Sequence, residues 1–331
     1  MKNILVIALF SVFVFYSCQK EDNPVSSSEF NWTIQSSGTI NTLYGVSFSD
    51  ANSGLAVGDS GLILKTTDAG STWAKLVSGT TQPLMGICFR DNNTWTAVGA
   101  LGTILKTTDG GSTWLAQVSG VTGKLNAVFY SNDTSGIAIG DAGTILRTTN
   151  GGTSWVKQVS GTTNSLCGVH FFDLNHGRVV GNLGTILKTV NGGSSWSPDS
   201  SKTTDGLSSV YFSDGANGVV LGGNPGASTI LKTIDSGKVY SKKLVSANNY
   251  LGYYLYGASF TSAINGTAVG YNGTILKTND GGLSWVNQPI TLSDLTTKRI
   301  GHLFGVSFTD ANNGTAVGAN GVILRIKYSS K

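Results

Sequence analysis

Aspartate is the residue type in this chain that could do chemistry, because a pair of carboxyl groups can act as acid and base in glycoside hydrolysis. Most of the aspartates recur at fixed positions of a repeat, which indicates a structural use. Within the repeat region, four fall outside the repeated positions: Asp133, Asp199, Asp205 and Asp294. The only glutamates, Glu21 and Glu29, lie near the N-terminus. A catalytic pair drawn from Asp199, Asp205 and Asp294 is therefore one alternative, which no further residue supports.

Metal, cofactor and nucleic-acid chemistry have little support in the residue pattern. Cys88 and Cys167 occupy different positions of different repeats, so we expect two small buried residues rather than a disulfide. The histidines are scattered: His170, His176 and His302. The segment from Asp50 to Gly54 begins like a calcium loop but has no acidic residue to close it, which favours a turn. The net charge of +4 is too weak to indicate nucleic-acid binding, and we expect no metal or cofactor.

The elements that carry these residues are copies of one repeat. A clear copy runs from Gly102 to Trp114 and contains Ile-Leu-Lys-Thr followed by Asp-Gly-Gly. The aromatic residue that ends each copy stands at Trp32, Trp73, Trp114, Trp155, Trp196, Tyr240 and Trp285, at steps of 41 residues four times, then 44 and 45. A period near 40 with four short strand-like runs is typical of a propeller blade. The sequence predicts an all-β fold over residues 30–328, a seven-bladed β-propeller with four antiparallel strands per blade.

The two ends of the repeat region complement each other. The last unit, from Leu303 to Lys327, has only three strand-like runs, whereas the region starts with an isolated fourth run at Trp32 to Gln35. That run matches the segment after Trp73, since both lead into Ser-Gly-Thr. We therefore expect the N-terminal strand to complete the last blade and close the ring.

The turn that ends each unit reads Thr-x-Asp-x-Gly-x-Thr-Trp and resembles the Asp-box, also called the BNR repeat. Its acidic or amide positions are Asp68, Asp109, Asn150, Asn191, Asp235 and Asp280. An Asp or Asn side chain can hydrogen-bond its own backbone in such a turn, and the aromatic ring can pack against the blade. The pattern indicates a structural role for these residues.

The full unit, in which Gly-x-x-Gly-Thr-Ile-Leu-Lys-Thr precedes the Asp-box, resembles the photosystem II stability/assembly factor family over about residues 30 to 328. That resemblance implies a rigid propeller that binds another protein. Sialidases also contain Asp-boxes, but their chemistry requires a tyrosine activated by glutamate, and the repeat region has no glutamate. Xyloglucanases with Asp-boxes use two aspartates and usually two propellers, whereas this chain has one. A glycoside hydrolase is therefore the less favoured alternative.

The N-terminal segment predicts export and lipidation. Residues 1–17 contain Lys2 and then an apolar run too short to span a bilayer reliably, as in a signal peptide. The segment Phe15-Tyr16-Ser17-Cys18 resembles a bacterial lipobox, in which Cys18 becomes the lipidated first residue. Residues 18–29 are a polar tether. We expect an outer-membrane lipoprotein of a Gram-negative bacterium, held by the Cys18 lipid at the cell surface or the periplasmic face.

Departures from the repeat indicate where a partner binds. The lengthened loops all fall on one face, which carries the turns between second and third strands and the links between blades. Recognition often uses such loops on a rigid scaffold, and Tyr and Arg are enriched at interfaces. The candidate partner-binding residues are Tyr250, Tyr253, Tyr254, Lys298, Arg299 and His302. Tyr256 is interpreted as structural, because it occupies the repeat position of Tyr44. The alternative for the other tyrosines is that they cover the core of blade 6 and bind no partner.

A basic residue also recurs once per unit, at Lys65, Lys106, Arg147, Lys188, Lys232, Lys277 and Arg325. It could form a ring that attracts an acidic partner, but packing of its stem along the blade is the favoured interpretation. The sequence thus predicts a monomeric, non-enzymatic envelope scaffold that binds another envelope protein. The alternatives are a glycan-binding module, in which the tyrosines stack on sugar rings, and an Asp-dependent glycoside hydrolase.

Overall fold

The computed structural model describes residues 30–224, 226–242, 254–288, 290 and 300–328. The described chain begins with β1 (Phe30–Gln35) and then forms consecutive four-stranded sheets, or blades. Blade 1 contains β2 (Leu43–Phe48), β3 (Gly54–Gly58), β4 (Ile63–Thr66) and β5 (Ala74–Leu76). Blade 2 contains β6 (Leu84–Phe89), β7 (Trp95–Gly99), β8 (Ile104–Thr107) and β9 (Leu115–Ala116). Blade 3 contains β10 (Leu125–Tyr130), β11 (Gly136–Gly140), β12 (Ile145–Thr148) and β13 (Val156–Gln158).

The remaining blades continue this order. Blade 4 contains β14 (Leu166–Phe171), β15 (Gly177–Gly181), β16 (Thr185–Thr189) and β17 (Ser197–Ser200). Blade 5 contains β18 (Gly206–Phe212), β19 (Gly218–Asn224), β20 (Ala227–Thr233) and β21 (Ser241–Lys242). Blade 6 contains β22 (Leu255–Phe260), β23 (Gly266–Gly270), β24 (Ile275–Thr278) and β25 (Val286–Asn287). Blade 7 contains β26 (Leu303–Asp310), β27 (Asn313–Gly318), β28 (Ile323–Tyr328) and β1.

The seven sheets form a closed ring, so the predicted seven-bladed propeller with four antiparallel strands per blade is confirmed. The first strand of each blade contacts the first strand of the next, and β26 of blade 7 contacts β2 of blade 1. β1 pairs antiparallel with β28, with Trp32 opposite Ile326. Within the described ranges, the chain contains no apolar helix of membrane-spanning length.

The core lies between neighbouring blades, because the second strand of every blade is covered on both faces. In blade 1, all five residues of β3 are buried. Leu55 and Val57 from this strand pack with Leu84 and Leu105 of blade 2. Strands buried on both faces carry continuous apolar runs rather than an alternating pattern, which explains the Leu-Ala-Val and Ile-Ala-Ile sequences of the second strands.

A glycine begins most of the second strands because an aromatic ring occupies the space where its side chain would lie. A Cβ at Gly54 would come within 2.7 Å of the Phe48 ring. In blade 2 the buried aromatic ring comes from the second strand instead of the first. Trp95 replaces the glycine and is only 2% exposed, while Phe89, at the position of Phe48, is 37% exposed. One buried aromatic group per blade therefore fills this position, from either strand.

Candidate functional site

The Asp-box aspartates hold the turn between the third and fourth strands. In blade 1, the Thr72 amide and hydroxyl donate to the Asp68 carboxylate at 2.9 and 2.6 Å, and the Thr66 hydroxyl donates at 2.8 Å. Asn150 makes the equivalent bonds in blade 3 through its amide group. In blade 2, the hydroxyl and amide of Thr113 and then other hydrogen bonds lower the pKa of Asp109 to about 2. The Asp-box carboxylates are occupied by the turn and their pKa values are lowered, so they are unsuited to act as general acids.

Basic residues of several third strands connect one blade to the next. Lys65 donates from Nζ to the carbonyl oxygen of Gly110 at 2.6 Å, and Lys106 donates to that of Gly151 at 2.7 Å. Arg325 donates to the carbonyl of Ala51 at 2.9 Å, which joins blade 7 to blade 1. Burial is the main cause that lowers the pKa of Lys106. This geometry favours the packing interpretation of the basic ring over an exposed ring that attracts an acidic partner.

The contacts of Asp199 and Asp205 do not assemble a catalytic pair. Asp199 lies 3.4 Å from Lys188 Nζ and 3.6 Å from Arg178 Nε, at the boundary of blades 4 and 5. Asp205 accepts hydrogen bonds from Asn224 and Thr229 and lies 3.4 Å from Lys242 Nζ. The Thr229 bond is the largest cause that lowers the pKa of Asp205, whereas a glycosidase acid needs a raised pKa. Asp294 lies outside the described residues.

One face of the disc carries both the turns between second and third strands and the links between blades; we call it the link face. Hydrogen bonds join the two kinds of loop. In blade 1, the amide of Asp59 donates to the carbonyl of Thr42 at 2.9 Å, and in blade 6 the amide of Tyr271 donates to that of Tyr254 at 2.9 Å. Of the predicted partner-binding residues, Tyr254 and His302 are described and lie on this face. The others lie outside the described residues: Tyr250, Tyr253, Lys298 and Arg299.

Tyr254 and His302 belong to a continuous aromatic group on the link face, which we call the aromatic patch. It consists of Tyr44, Tyr254, Tyr256, Tyr271, His302 and Phe304. Ring centroids lie 5.0 Å apart for Tyr254 and Tyr256, 5.0 Å for Tyr256 and Phe304, and 5.5 Å for Phe304 and Tyr44. His302 stacks on Tyr271 at 4.3 Å. The patch therefore extends across blades 6, 7 and 1.

Tyr256 has a more central place than the repeat alignment suggested. It contacts Tyr254 on one side and Phe304 on the other, so it connects the patch rather than only covering blade 6. Besides Tyr256, three members of the patch were not among the sequence candidates: Tyr44, Tyr271 and Phe304. A signal for two of them was present, because one repeat position reads Tyr44, Met85, Asn126, Cys167, Ser208, Tyr256 and Phe304 around the ring. That position is aromatic only in blades 1, 6 and 7, which are neighbours.

The polar groups of the patch are tyrosine hydroxyls and one imidazole. The Tyr44 hydroxyl donates to Asp59 at 3.0 Å, and burial is the main cause that raises the pKa of Tyr44 to about 12. Burial likewise raises the pKa of Tyr254 to about 12. The His302 Nδ1 atom accepts a hydrogen bond from the amide of Asn272 at 3.2 Å, which places the ring proton of a neutral imidazole on Nε2. Such a surface combines apolar area with hydroxyl donors, as protein-binding surfaces do.

A second aromatic group lies at the opposite end of the first strands and is structural. Tyr211 stacks on Phe260 with centroids 4.3 Å apart, and His170 lies 4.9 Å from the Tyr211 ring. Burial lowers the pKa of His170 to about 4, and its Nδ1 atom accepts the Phe212 amide at 3.3 Å. This histidine is neutral and joins blade 4 to blade 5. In the part of the chain that the structure describes, no three His, Cys, Asp or Glu residues come together as a metal site.

Residues 24–167 and 150–251 match the family described as photosynthesis system II assembly factor YCF48. The chain belongs to this family. The resemblance stated from the repeat unit is therefore confirmed. Comparison with curated proteins gives no match.

Solved structures share the fold. A structure described as YCF48 bound to D1 peptide is 19% identical, with a TM-score of 0.72, and the alignment covers 92% of this chain and 100% of that one. YCF48 from Cyanidioschyzon merolae is 22% identical, with a TM-score of 0.70 over 90% of this chain and 98% of that one. The GH74 enzyme of Niastella koreensis is 17% identical with a TM-score of 0.69 over 89% of this chain, which covers 53% of that enzyme. At these identities the likeness concerns the fold alone.

Proposed function

We propose that this member of the YCF48 family is a non-enzymatic scaffold that binds a segment of another protein through the aromatic patch. The observation that carries the proposal is the concentration of six aromatic rings on one end of blades 6, 7 and 1. A related propeller of the same family has been described in complex with a D1 peptide, which supports a peptide as the class of ligand. The Asp-box carboxylates and Asp205 are committed to the fold, which argues against hydrolysis.

The chemistry of the patch suits a protein segment. Tyr and His rings give a large contact area at low cost in side-chain entropy, and their hydroxyl and N–H groups can pair with peptide groups. Tyr271 is 38% exposed, so a ring is available to solvent at the edge of the patch. The innermost members are half-buried and held by their neighbours, which reduces the entropy lost on binding.

We further propose that the scaffold works at the cell envelope, as a lipoprotein anchored through Cys18 in the outer membrane. The signal-like residues 1–17 and the polar tether at 18–29 support this placement. Metabolic labelling with a fatty acid should mark the wild-type chain and leave a Cys18→Ser variant unlabelled. Equal labelling of both chains would contradict lipidation at Cys18.

The direct test of the scaffold function uses capture from envelope extracts. A double variant with Tyr256→Ala and Tyr271→Ala disrupts the patch, and Tyr211→Ala removes a half-buried aromatic at the opposite end of the first strands. We expect one protein to be captured by the wild type and by the Tyr211 variant, and to be lost from the double variant. The captured protein, once purified, should bind the wild-type propeller with the same dependence. Equal binding by all three chains would contradict a site on the patch.

Glycan binding is the second candidate function. Exposed aromatic rings such as Tyr271 also stack on sugars, and GH74 enzymes share the propeller fold. Binding to a glycan array that depends on Tyr271, together with no captured protein, would favour this alternative. Release of sugar that is lost in an Asp199→Asn or Asp205→Asn variant would favour a hydrolase.

A further inference from the structure

Two leucines on the link face combine exposure with an unfavourable backbone conformation. Leu101 and Leu183 occupy the tip of the turn between second and third strands in blades 2 and 4, both at φ 53°. They are 66% and 67% exposed. The left-handed conformation costs free energy for a residue with a Cβ. An exposed leucine side chain offsets little of this cost, because it removes little apolar area from water. Blades 6 and 7 place Asn272 and Asn320 at the same turn position, and asparagine tolerates this conformation better.

Leu183 differs from Leu101 in its surroundings, because it lines a cleft. The cleft has a volume of about 460 Å³ and lies at the link face between blades 4 and 5, with Tyr254 of blade 6 also in its wall. Its other walls include Asn164, Asn182 and Asn224. Leu101 belongs to blade 2, with blade 3 between it and the cleft.

The cleft is continuous with the aromatic patch through Tyr254. The Tyr254 ring stacks against Tyr256 of the patch, and its hydroxyl reaches over Gly206, where a Cβ would come within 2.8 Å of the oxygen. Gly206 itself lines the cleft. A ligand that crosses the patch toward blade 5 therefore enters the cleft directly.

The walls of the cleft select for an uncharged ligand. Every residue that lines it is uncharged, in the part of the chain that the structure describes. Two carboxylates lie behind the walls and are already paired: Asp205 with Asn224, Thr229 and Lys242, and Asp141 with Ser165 and Asn126. Asn164 donates one amide N–H to the Thr185 hydroxyl at 2.8 Å, and Asn224 donates one to Asp205. An asparagine amide has two N–H donors and a carbonyl acceptor, so each keeps further capacity that matches the N–H and C=O groups of an extended peptide backbone. Leu183 adds a branched apolar contact, which suits an aliphatic side chain better than the flat face of a sugar ring.

We propose that this cleft binds an uncharged, extended peptide segment of the partner and that Leu183 contacts an apolar side chain of that segment. The inference rests on the proposed scaffold function and names the chemistry of its ligand. The volume of the cleft lies within the range of ligand sites and has room for a few residues. Leu101 shares this exposure and backbone conformation without a cleft beside it, so the place of Leu183 in the cleft wall is the observation that supports the contact.

The test uses Leu183→Asn and the matched control Leu101→Asn. Both variants place in the turn a residue that two other blades already carry there, so both should fold and melt roughly 1–3 °C higher than the wild type. A random peptide library is selected on the wild-type propeller, and enriched peptides are synthesised for affinity measurements. We expect the peptides to share an aliphatic residue among uncharged neighbours. Leu183→Asn should weaken their binding by about tenfold, and Leu101→Asn should leave the affinity unchanged.

The outcomes separate this inference from the proposed function. Peptides that bind both leucine variants as tightly as the wild type, but lose affinity for Tyr256→Ala, would overturn the cleft and keep the scaffold function. Enrichment of peptides with charged residues at the positions that depend on Leu183 would also overturn it. Failure to enrich any peptide, with binding of a glycan instead, would overturn both proposals.

Discussion

Truncation of Trp32 tests whether the first strand of the chain is docked in the last blade in solution. Trp32 is 1% exposed and packs among Leu324, Ile326 and Leu303. Its ring meets Phe308 edge-on, with centroids 5.9 Å apart at 84°. Removal of a buried Trp side chain costs about 3–5 kcal/mol through lost transfer energy and an unfilled cavity. That is a large part of the ~5–15 kcal/mol by which a typical domain is stable.

Blade 6 supplies a matched control for this variant. Trp285 is 0% exposed and meets Phe260 edge-on, with centroids 6.0 Å apart at 88°. Its blade is continuous in sequence, so its packing does not depend on β1. We expect Trp32→Ala and Trp285→Ala to lower the urea midpoint, followed by circular dichroism, by similar amounts. A Trp32 variant that unfolds like the wild type, beside a destabilised Trp285 variant, would show that β1 is not paired with β28 in solution.

Removal of residues 31–36 should destabilise the ring further than the point variant. It takes away the pairing of β1 with β28 as well as the Trp32 side chain, and it leaves β28 as an open edge. A truncated protein that melts like the full chain would contradict closure of blade 7 by this strand.

Further predictions concern acid, thiols and the strand glycines. The folded-state pKa of Asp109 is depressed to about 2, so its contribution to stability is present above the unfolded pKa near 3.8 and is lost as the pH falls toward 2. Melting temperatures measured over this pH range should therefore depend less on pH in Asp109→Asn than in the wild type. Asp109→Ala should be less stable than the wild type even at neutral pH. Cys88 and Cys167 are free and only partly exposed, and burial raises the pKa of Cys88 to about 11 and also raises that of Cys167. A thiol reagent at pH 7 should therefore label both more slowly in the folded protein than after unfolding, and equal rates in the two states would contradict this protection. Gly54→Ala should cost about 1–3 kcal/mol, because its methyl group meets the Phe48 ring, and unchanged urea unfolding would contradict this packing.

The repeat made the blades predictable because each unit carries the same local signals at the same pitch. The closing aromatics, such as Trp73 and Trp285, mark every fourth strand, and the missing fourth strand of the last unit pointed to Trp32. Exceptions within the repeat depend on neighbours that the linear pattern does not show. In blade 4, for example, Arg178 donates to the carbonyl of Ser236 at 2.8 Å in the next blade, while Lys188 pairs with Asp199.

The candidate site was only partly accessible from the sequence, because residues were judged by their position in the repeat. Tyr256 was interpreted as structural for its equivalence to Tyr44, yet both rings belong to the patch. Their meeting depends on which blades are neighbours in a closed ring, and Phe304 of blade 7 lies between them. The positive φ of Leu183 could not be predicted from its residue type, because the turn geometry imposes this left-handed backbone and leucine does not favour it.

The most direct measurement of the central claim is photo-crosslinking at single sites in cells. A benzophenone amino acid placed at Tyr271 stands at the exposed edge of the aromatic patch. The same probe at Val190 stands in an Asp-box turn of blade 4 on the opposite face, where the native side chain is 64% exposed. The scaffold account predicts a discrete protein adduct from position 271 and none of that mass from position 190. An adduct from position 190 alone, or the same adduct from both positions, would contradict partner binding through the link face.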